Sequence, residues 1–227
     1  MPQPDLVIFD CDGVLIDSEI IAARVESEVL TDAGYPISAE EIAELYSGLT
    51  SRDILLRIEE VAGIPLQATL IDRIKSTMAE RLKHVPMIQG AASAIASVKV
   101  PRCVCSNSGP EQLEATLTAT GLKPLFGDQI YSAQATGSGK PKPAPDVFLY
   151  AANALGARPE NTFVVEDSVH GVHGAKAAGM RVIGFTGGAH SYPGHADLLT
   201  EAGAETVINR WRDFPAVLEA LTDWIDA

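Results

Sequence analysis

Five short apolar runs divide this chain, and each is followed within a residue or two by small, polar or acidic residues. Helical patterns separate most of the runs, and such alternation of strand and helix is typical of a parallel sheet covered on both faces. The runs therefore predict an α/β fold built on a parallel sheet. They lie within residues 5–10, 102–106, 128–132, 162–166 and 181–185.

Residues 16–85 interrupt this alternation with helical signals alone. An insertion of this length is more typical of a domain than of a loop. We therefore predict a helical domain over residues 16–85, inserted into a core formed by residues 1–15 and 86–227. The helical signals are capping boxes at Ser38/Glu41 and Thr50/Asp53, apolar positions at helical spacing (Ile54, Leu55, Ile58 and Val61, then Ile71, Ile74, Met78 and Leu82), and a stop at Gly63.

The formal net charge of −13 argues against a nucleic-acid partner, because binding to a phosphate backbone needs a basic face. A small phosphorylated substrate remains compatible, since a metal ion and local cations can reverse the field inside a pocket. No stretch approaches the roughly 20 apolar residues of a membrane span, and no secretory signal is apparent. We expect a cytoplasmic monomer or weak homodimer without a membrane partner. Cys11, Cys103 and Cys105 lie beside apolar runs, which predicts reduced, buried thiols.

The first acidic pair, Asp10 and Asp12, follows directly after the strand at residues 6–9 and precedes Gly13. In a doubly wound sheet, ligands bind outside the carboxyl ends of the strands, where Asp10 would lie. The spacing indicates a tight turn that aims both carboxylates into one cleft, so that one attacks as a nucleophile while the other transfers protons. The alternative is an Asx turn with an acid at a helix start, and this motif alone leaves it open.

Two further motifs suit the binding of a phosphate group. Ser106 follows a strand, and its hydroxyl with free N–H groups at a helix start would form a phosphate cradle. The alternative is a plain helix cap, which we favour for Ser108 but not for Ser106. Lys142, in the run KPKPAPD, would project a fixed charge from between rigid prolines. The alternative of a solvated lysine suits Lys140 better.

Glu166 and Asp167 end the strand at residues 163–165, and adjacent acids at a strand tip are typical ligands of a hard metal ion. His170 and His173 follow on a helix, and we interpret both as packing or surface residues because Mg²⁺ prefers oxygen ligands. The stretch GGAHSYPG at residues 187–194 predicts a surface loop.

In this order, the motifs DCDG (10–13), SN (106–107), KPAPD (142–146) and EDS (166–168) resemble those of the haloacid dehalogenase superfamily along essentially the whole chain. A helical insertion after the first motif is similar to the subgroup with a C1 cap, which includes β-phosphoglucomutase, phosphoglycolate phosphatase and sugar-phosphate phosphatases. The runs DSE (17–19) and EDSVHGVHGAKAAGM (166–180) fit that subgroup. In character the chain is most similar to phosphatases of the 6-phosphogluconate type. The resemblance implies a Rossmann-like core with an inserted α-helical cap.

The resemblance also implies a Mg²⁺-dependent phosphatase acting on a small phosphorylated metabolite, a sugar or sugar-acid phosphate. Asp10 would attack phosphorus to form an aspartyl-phosphate, and Asp12 would act as acid and then base. The implied phosphate ligands are Ser106, Asn107 and Lys142, and the implied Mg²⁺ ligands are the Asp10 carboxylate, the Asp12 carbonyl and Asp167, with Glu166 contributing directly or through water.

Substrate choice would then lie in the cap. Arg52 aligns with a cap arginine that contacts a second anionic group in the mutase, and a surface role for Arg52 stays open. For Arg24 we favour a solvated face. The mutase carries a histidine on its first cap helix, whereas residues 19–24 contain none, which favours hydrolysis over isomerisation.

Other classes fit the motifs less well. A dehalogenase would need neither Asp12 nor a magnesium site, and a phosphonatase needs a cap lysine that no motif marks. A phospho-receiver module shares the acids and the lysine, but it is shorter and lacks a helical insertion. A sugar phosphomutase and a regulatory relative remain the alternatives to a phosphatase.

Overall fold

The computed structural model describes residues 3–46, 49, 51–63 and 69–223. Its strands pair in parallel in one sheet of order β3-β2-β1-β4-β5-β6, which confirms the predicted α/β class. The strands are β1 Leu6–Phe9, β2 Arg102–Ser106, β3 Ile130–Ser132, β4 Thr162–Glu166, β5 Arg181–Phe185 and β6 Thr206–Ile208. The sequence did not predict β6, because only Val207 and Ile208 supply its apolar signal.

The described helices fall into two groups, one inserted between β1 and β2 and the other packed on the sheet. The inserted helices are α1 Ser18–Asp32, α2 Ala39–Tyr46, α3 Ser51–Ala62 and α4 Thr69–Leu82. The helices that follow along the chain are α5 Ala91–Ser97, α6 Pro110–Ala119, α7 Lys123–Phe126, α8 Asp146–Ala154, α9 Val169–Ala177, α10 His195–Glu201 and α11 Phe214–Asp223.

Both faces of the sheet are buried. Successive side chains of a strand point to opposite faces, so Val7 and Phe9 pack under α5, α6, α7 and α11, whereas Leu6 and Ile8 pack under α8, α9 and α10. This double burial explains why the strands read as continuous apolar runs. The strand order places β1 between β2 and β4, near the middle of the sheet.

The inserted helices α1–α4 share an apolar cluster of their own, which includes Val25, Leu30, Ile58 and Ile74. The helical character predicted for this segment is therefore confirmed, and its boundaries as a domain, at residues 16 and 85, stay a prediction. None of the described helices combines the length and apolar character that a membrane crossing requires.

Local signals in the insertion have mixed outcomes. The capping box before α2 is confirmed, since Ser38 N–H donates to Glu41 Oε2 at 2.8 Å and Glu41 N–H donates to Ser38 Oγ at 3.1 Å. Gly63 ends α3 at a φ of +65°, as predicted. The assignment of Val61 to the apolar stripe is wrong, because its side chain is 75% exposed. The second capping box depends on Thr50, which lies outside the described residues.

Candidate active site

A cavity of about 900 Å³ lies between the carboxyl edge of the sheet and the inserted helices. All eight residues that the sequence predicted for the site line it. Seven belong to the sheet side, namely Asp10, Asp12, Ser106, Asn107, Lys142, Glu166 and Asp167. Arg52 lines the opposite wall, on α3, together with the exposed Lys75 of α4.

Strand pairing explains why the acids meet. Phe9 pairs with Val165 across β1 and β4, so Asp10 and Glu166 follow at the same level of the sheet edge. The amide of Asp10 continues this ladder by donating to Val165 O at 3.0 Å. Two acids more than 150 residues apart in sequence therefore become neighbours through backbone geometry alone.

Lys142 is the cation of this edge and is only 6% exposed. Its ammonium group contacts Asp10 Oδ1, and it donates to Glu166 Oε1 at 2.6 Å and to Cys105 O at 2.8 Å. Burial acts to lower the pKa of Lys142, but the carboxylates of Asp10 and Glu166 outweigh it and raise that pKa. Lys142 is thus held as a cation, whereas Lys140 is exposed, as predicted.

Asp10 is nearly enclosed, and burial raises its pKa well above the usual value, with Lys142 acting in the opposite direction. Glu166 and Asp167 add to the rise through like charge. Lys142 contacts two of these three buried carboxylates, Asp10 and Glu166, so acidic groups are in excess of lysine at this edge of the sheet. A bound dication would remove that excess.

The donor set fits a hard divalent cation. Asp10, Glu166 and Asp167 each offer a carboxylate oxygen within 4.8 Å of the others, and oxygen ligands are the preference of Mg²⁺. Glu166 already accepts hydrogen bonds at both oxygens, from Lys142 at Oε1 and from the Asp167 and Ser168 amides at Oε2, at 3.1 and 3.2 Å. Asp10 and Asp167 are therefore the better placed direct ligands, and Glu166 fits contact through water.

Asp12 is held by three hydroxyl groups. Ser18 Oγ donates to Oδ1 at 2.7 Å, and Ser106 and Ser108 donate to Oδ2 at 3.1 and 2.6 Å. The interpretation of Ser108 as a helix cap is wrong, because Gly109 occupies the N-cap of α6 and the Ser108 hydroxyl donates to Asp12. Asp12 thereby joins the sheet edge to the first turn of α1.

Two glycines make room for the acids. A Cβ atom on Gly13 would lie 1.9 Å from Asp167 Oδ2, and Gly13 also has a φ of +73°. A Cβ atom on Gly171, in the first turn of α9, would lie 1.9 Å from the Glu166 carboxyl carbon. Any side chain at either position would displace a carboxylate of the cluster.

The other residues singled out in the sequence lie outside the acidic cluster. Asn107 is exposed, and its Oδ1 accepts a hydrogen bond from the Lys142 amide at 2.8 Å, so the Asn107 side chain orders the Lys142 loop. Any contact of Asn107 with phosphate would therefore come from its main-chain N–H group. Arg24 is exposed and is not part of the cavity wall, in agreement with a solvated face. His173 is exposed as predicted, but His170 lines the cavity.

His190 and Glu19 are among the residues at the site that the sequence did not predict. His190 Nε2 lies 2.9 Å from Asp167 Oδ2, although the loop 187–194 was interpreted as surface; that interpretation is wrong for the buried Gly188 and His190. Glu19 lines the cavity, and its pKa rises to about 8 through burial and through the charges of Asp167 and Asp12. The only signal for Glu19 was its place in the run DSE, and His190 had none.

Comparisons with known proteins agree on one family. A family model described as haloacid dehalogenase-like hydrolase matches residues 7–185. A conserved haloacid dehalogenase-like protein of unknown function from Agrobacterium tumefaciens is 56% identical in sequence and has a TM-score of 0.92, with 96% of this chain and 98% of that one covered. A family hydrolase from Deinococcus radiodurans, solved with bound phosphate and sodium, is 31% identical with a TM-score of 0.84 and 98% of each chain covered. The 6-phosphogluconate phosphatase of Escherichia coli is 28% identical over 195 residues, 85% of this chain and 87% of the relative.

Proposed function

This chain belongs to the haloacid dehalogenase-like hydrolases, and on that premise we propose that it is a Mg²⁺-dependent phosphatase of a small phosphorylated metabolite, a sugar or sugar-acid phosphate. The observation that carries the proposal is the buried contact of Lys142 with Asp10 and Glu166, on the wall of a cavity that Asp12 also lines. The relatives with bound phosphate and with 6-phosphogluconate phosphatase activity support the substrate class.

In the first step, an Asp10 carboxylate oxygen attacks phosphorus as the bond from phosphorus to the substrate oxygen breaks. Lys142 contacts Asp10 Oδ1 and so fixes the orientation of the carboxylate for the attack. Asp12 gives its proton to the departing alcohol, which avoids the release of an alkoxide. The product is an aspartyl-phosphate on Asp10 and a free alcohol.

In the second step, water attacks the same phosphorus and the bond from phosphorus to Asp10 breaks. Asp12, now a carboxylate, accepts the proton of that water. Inorganic phosphate leaves, Asp10 is restored, and Asp12 again carries the proton for the next substrate.

The transferred group carries three charged or partly charged oxygens that need partners. Lys142, the Ser106 hydroxyl and the main-chain N–H groups after Ser106 would supply these partners. The Ser106 hydroxyl would then donate its hydrogen bond to the substrate instead of to Asp12. Mg²⁺ held by Asp10, the Asp12 carbonyl and Asp167 would supply positive charge that lets a carboxylate approach an anionic phosphate. Closure of the inserted helical segment, residues 16–85, over the cavity would exclude water during the first step.

The direct test is release of phosphate from p-nitrophenyl phosphate. We expect turnover with Mg²⁺, a fall of at least about 100-fold on chelation with EDTA, and recovery when Mg²⁺ is added in excess, because the acids otherwise repel the substrate. Full activity in EDTA would contradict the metal requirement, and no turnover of aryl or sugar phosphates would contradict the proposal itself. A panel of sugar, sugar-acid and nucleoside phosphates then identifies the preferred substrate.

Arg52 should affect sugar phosphates selectively. It lines the wall opposite Asp10, where it can meet the far end of a substrate. A lost charge-assisted hydrogen bond costs roughly 1.5–3 kcal/mol, so we expect Arg52→Ala to raise KM for a sugar-acid phosphate by about 10–100-fold. For p-nitrophenyl phosphate, whose far end carries an uncharged nitro group instead of a second anionic group, we expect a change below about twofold. Arg57→Ala, an exposed residue of the same helix, is the matched control. Equal effects of Arg52→Ala on both substrates would remove Arg52 from substrate selection.

A further inference from the structure

The loop between β5 and α10 folds over the acidic edge of the sheet. Its His190 is 6% exposed, and Nε2 lies 2.9 Å from Asp167 Oδ2. The imidazole is packed between two glycines: a Cβ atom on Gly13 would lie 2.9 Å from its Cε1, and one on Gly188 would lie 2.6 Å from its Nδ1. The ring fits only because both neighbours lack side chains.

The same loop is tied down on either side of His190. The amide of Ala189 donates to Asp17 Oδ1 at 2.9 Å, which fixes the loop to the residue before α1. His195 Nε2 lies 2.7 Å from the main-chain oxygen of Asp167. Tyr192 stacks on the His195 ring at 4.9 Å between centroids, with 8° between the planes. The side chain of Asp167 is therefore held by His190 of this loop, and its backbone by His195 at the start of α10.

The hydrogen bond to Asp167 is the one polar contact of His190 within the described part of the chain. An ionised carboxylate only accepts, so Nε2 must carry the proton. Nδ1 is buried, and it has no hydrogen-bond partner among the described residues. A buried polar atom without a partner costs about 1–3 kcal/mol, so an apolar side chain would serve packing alone better. The contact with Asp167 is what the imidazole adds.

We propose that His190 is a positioning residue, whose Nε2–H group fixes the Asp167 carboxylate for binding of Mg²⁺. This inference rests on the proposed metal site. Partners that orient a ligating carboxylate typically contribute a factor of 10–100 in metal affinity. His190 lines a second, smaller cavity beside α1, with Glu19 and Glu26, and is absent from the wall of the main cavity, so it acts through Asp167 rather than on the substrate.

Isothermal titration of the full chain with Mg²⁺, without substrate, tests this role. We expect His190→Met to raise the Kd for Mg²⁺ by about 10–100-fold. His190→Gln keeps an N–H donor at a similar reach and should stay within about threefold of the wild type. His173→Met, at an exposed position of α9, is the control for loss of an imidazole. At saturating Mg²⁺, kcat of His190→Met should recover to within a few-fold of the wild type.

Equal Mg²⁺ affinity of folded His190→Met and the wild type would overturn the role of His190. Failure of the wild type to bind Mg²⁺ would instead overturn the metal site of the proposed function. If His190→Met does not fold, ¹H–¹⁵N spectra of the wild-type imidazoles decide. We then expect a protonated Nε2 on His190 whose resonance shifts on addition of Mg²⁺, and an Nε2 that is unprotonated or unaffected would overturn the proposal.

Discussion

Asp10→Asn is expected to lower kcat/KM for p-nitrophenyl phosphate by at least about 10⁴-fold, because a carboxamide cannot attack phosphorus and form the covalent intermediate. The change is nearly isosteric, so the contacts around Asp10 keep their shape. Lys142 keeps its partner Glu166, 2.6 Å away, and so remains paired. The loss should therefore fall on the chemical step, with the cavity intact.

Stability measurements separate this loss from unfolding. Burial and the like charges of Glu166 and Asp167 already disfavour ionised Asp10, so removal of its charge relieves repulsion. Without Mg²⁺, the Tm of Asp10→Asn should equal or exceed that of the wild type, and the rise in Tm on addition of Mg²⁺ should be smaller. Asp128→Asn, at an exposed loop position, is the matched control and should leave both quantities unchanged. Activity of Asp10→Asn within about tenfold of the wild type would remove Asp10 as nucleophile.

Strand-end chemistry is predictable from sequence because it follows from backbone geometry. Once the apolar runs predict a parallel sheet, the residues after each strand must meet at one edge, and Asp10 and Glu166 do so through register alone. The sequence favoured Lys142 over Lys140 as the phosphate-binding lysine, because prolines on either side of Lys142 restrict its loop. These inferences need no knowledge of how distant loops fold.

Ser108 and His190 show where such inference ends. Whether Ser108 caps α6 depends on which residue of the turn becomes the N-cap, and Gly109 takes that place. His190 contacts an acid 23 residues earlier in the chain, and its burial depends on Gly13 and Gly188. Composition predicts a surface loop at residues 187–194, and only tertiary packing buries His190 against Asp167.

Asp12→Asn should convert a smooth progress curve into a burst followed by slow turnover. Nitrophenolate leaves without a proton, so p-nitrophenyl phosphate can still phosphorylate Asp10. Hydrolysis of the intermediate needs a base for the attacking water, and such catalysis is worth about 10²–10⁴-fold. We expect about one equivalent of nitrophenolate per active site in the burst, and a mass increase on the Asp10 peptide that matches one phosphoryl group.

A sugar phosphate distinguishes the two roles of Asp12. Its alkoxide is a poor leaving group, so without a proton from Asp12 the first step also slows, and neither a burst nor a phosphorylated peptide should accumulate. Ser18→Ala is the matched control, because it removes one of the three hydroxyl donors to Asp12 and leaves the proton donor in place. We expect Ser18→Ala to cost less than about tenfold with either substrate, in the range of one lost hydrogen bond. Wild-type turnover of Asp12→Asn with both substrates would exclude Asp12 as acid and base. A burst with both would restrict Asp12 to the second step, in which the attacking water and not the leaving alcohol needs its carboxylate.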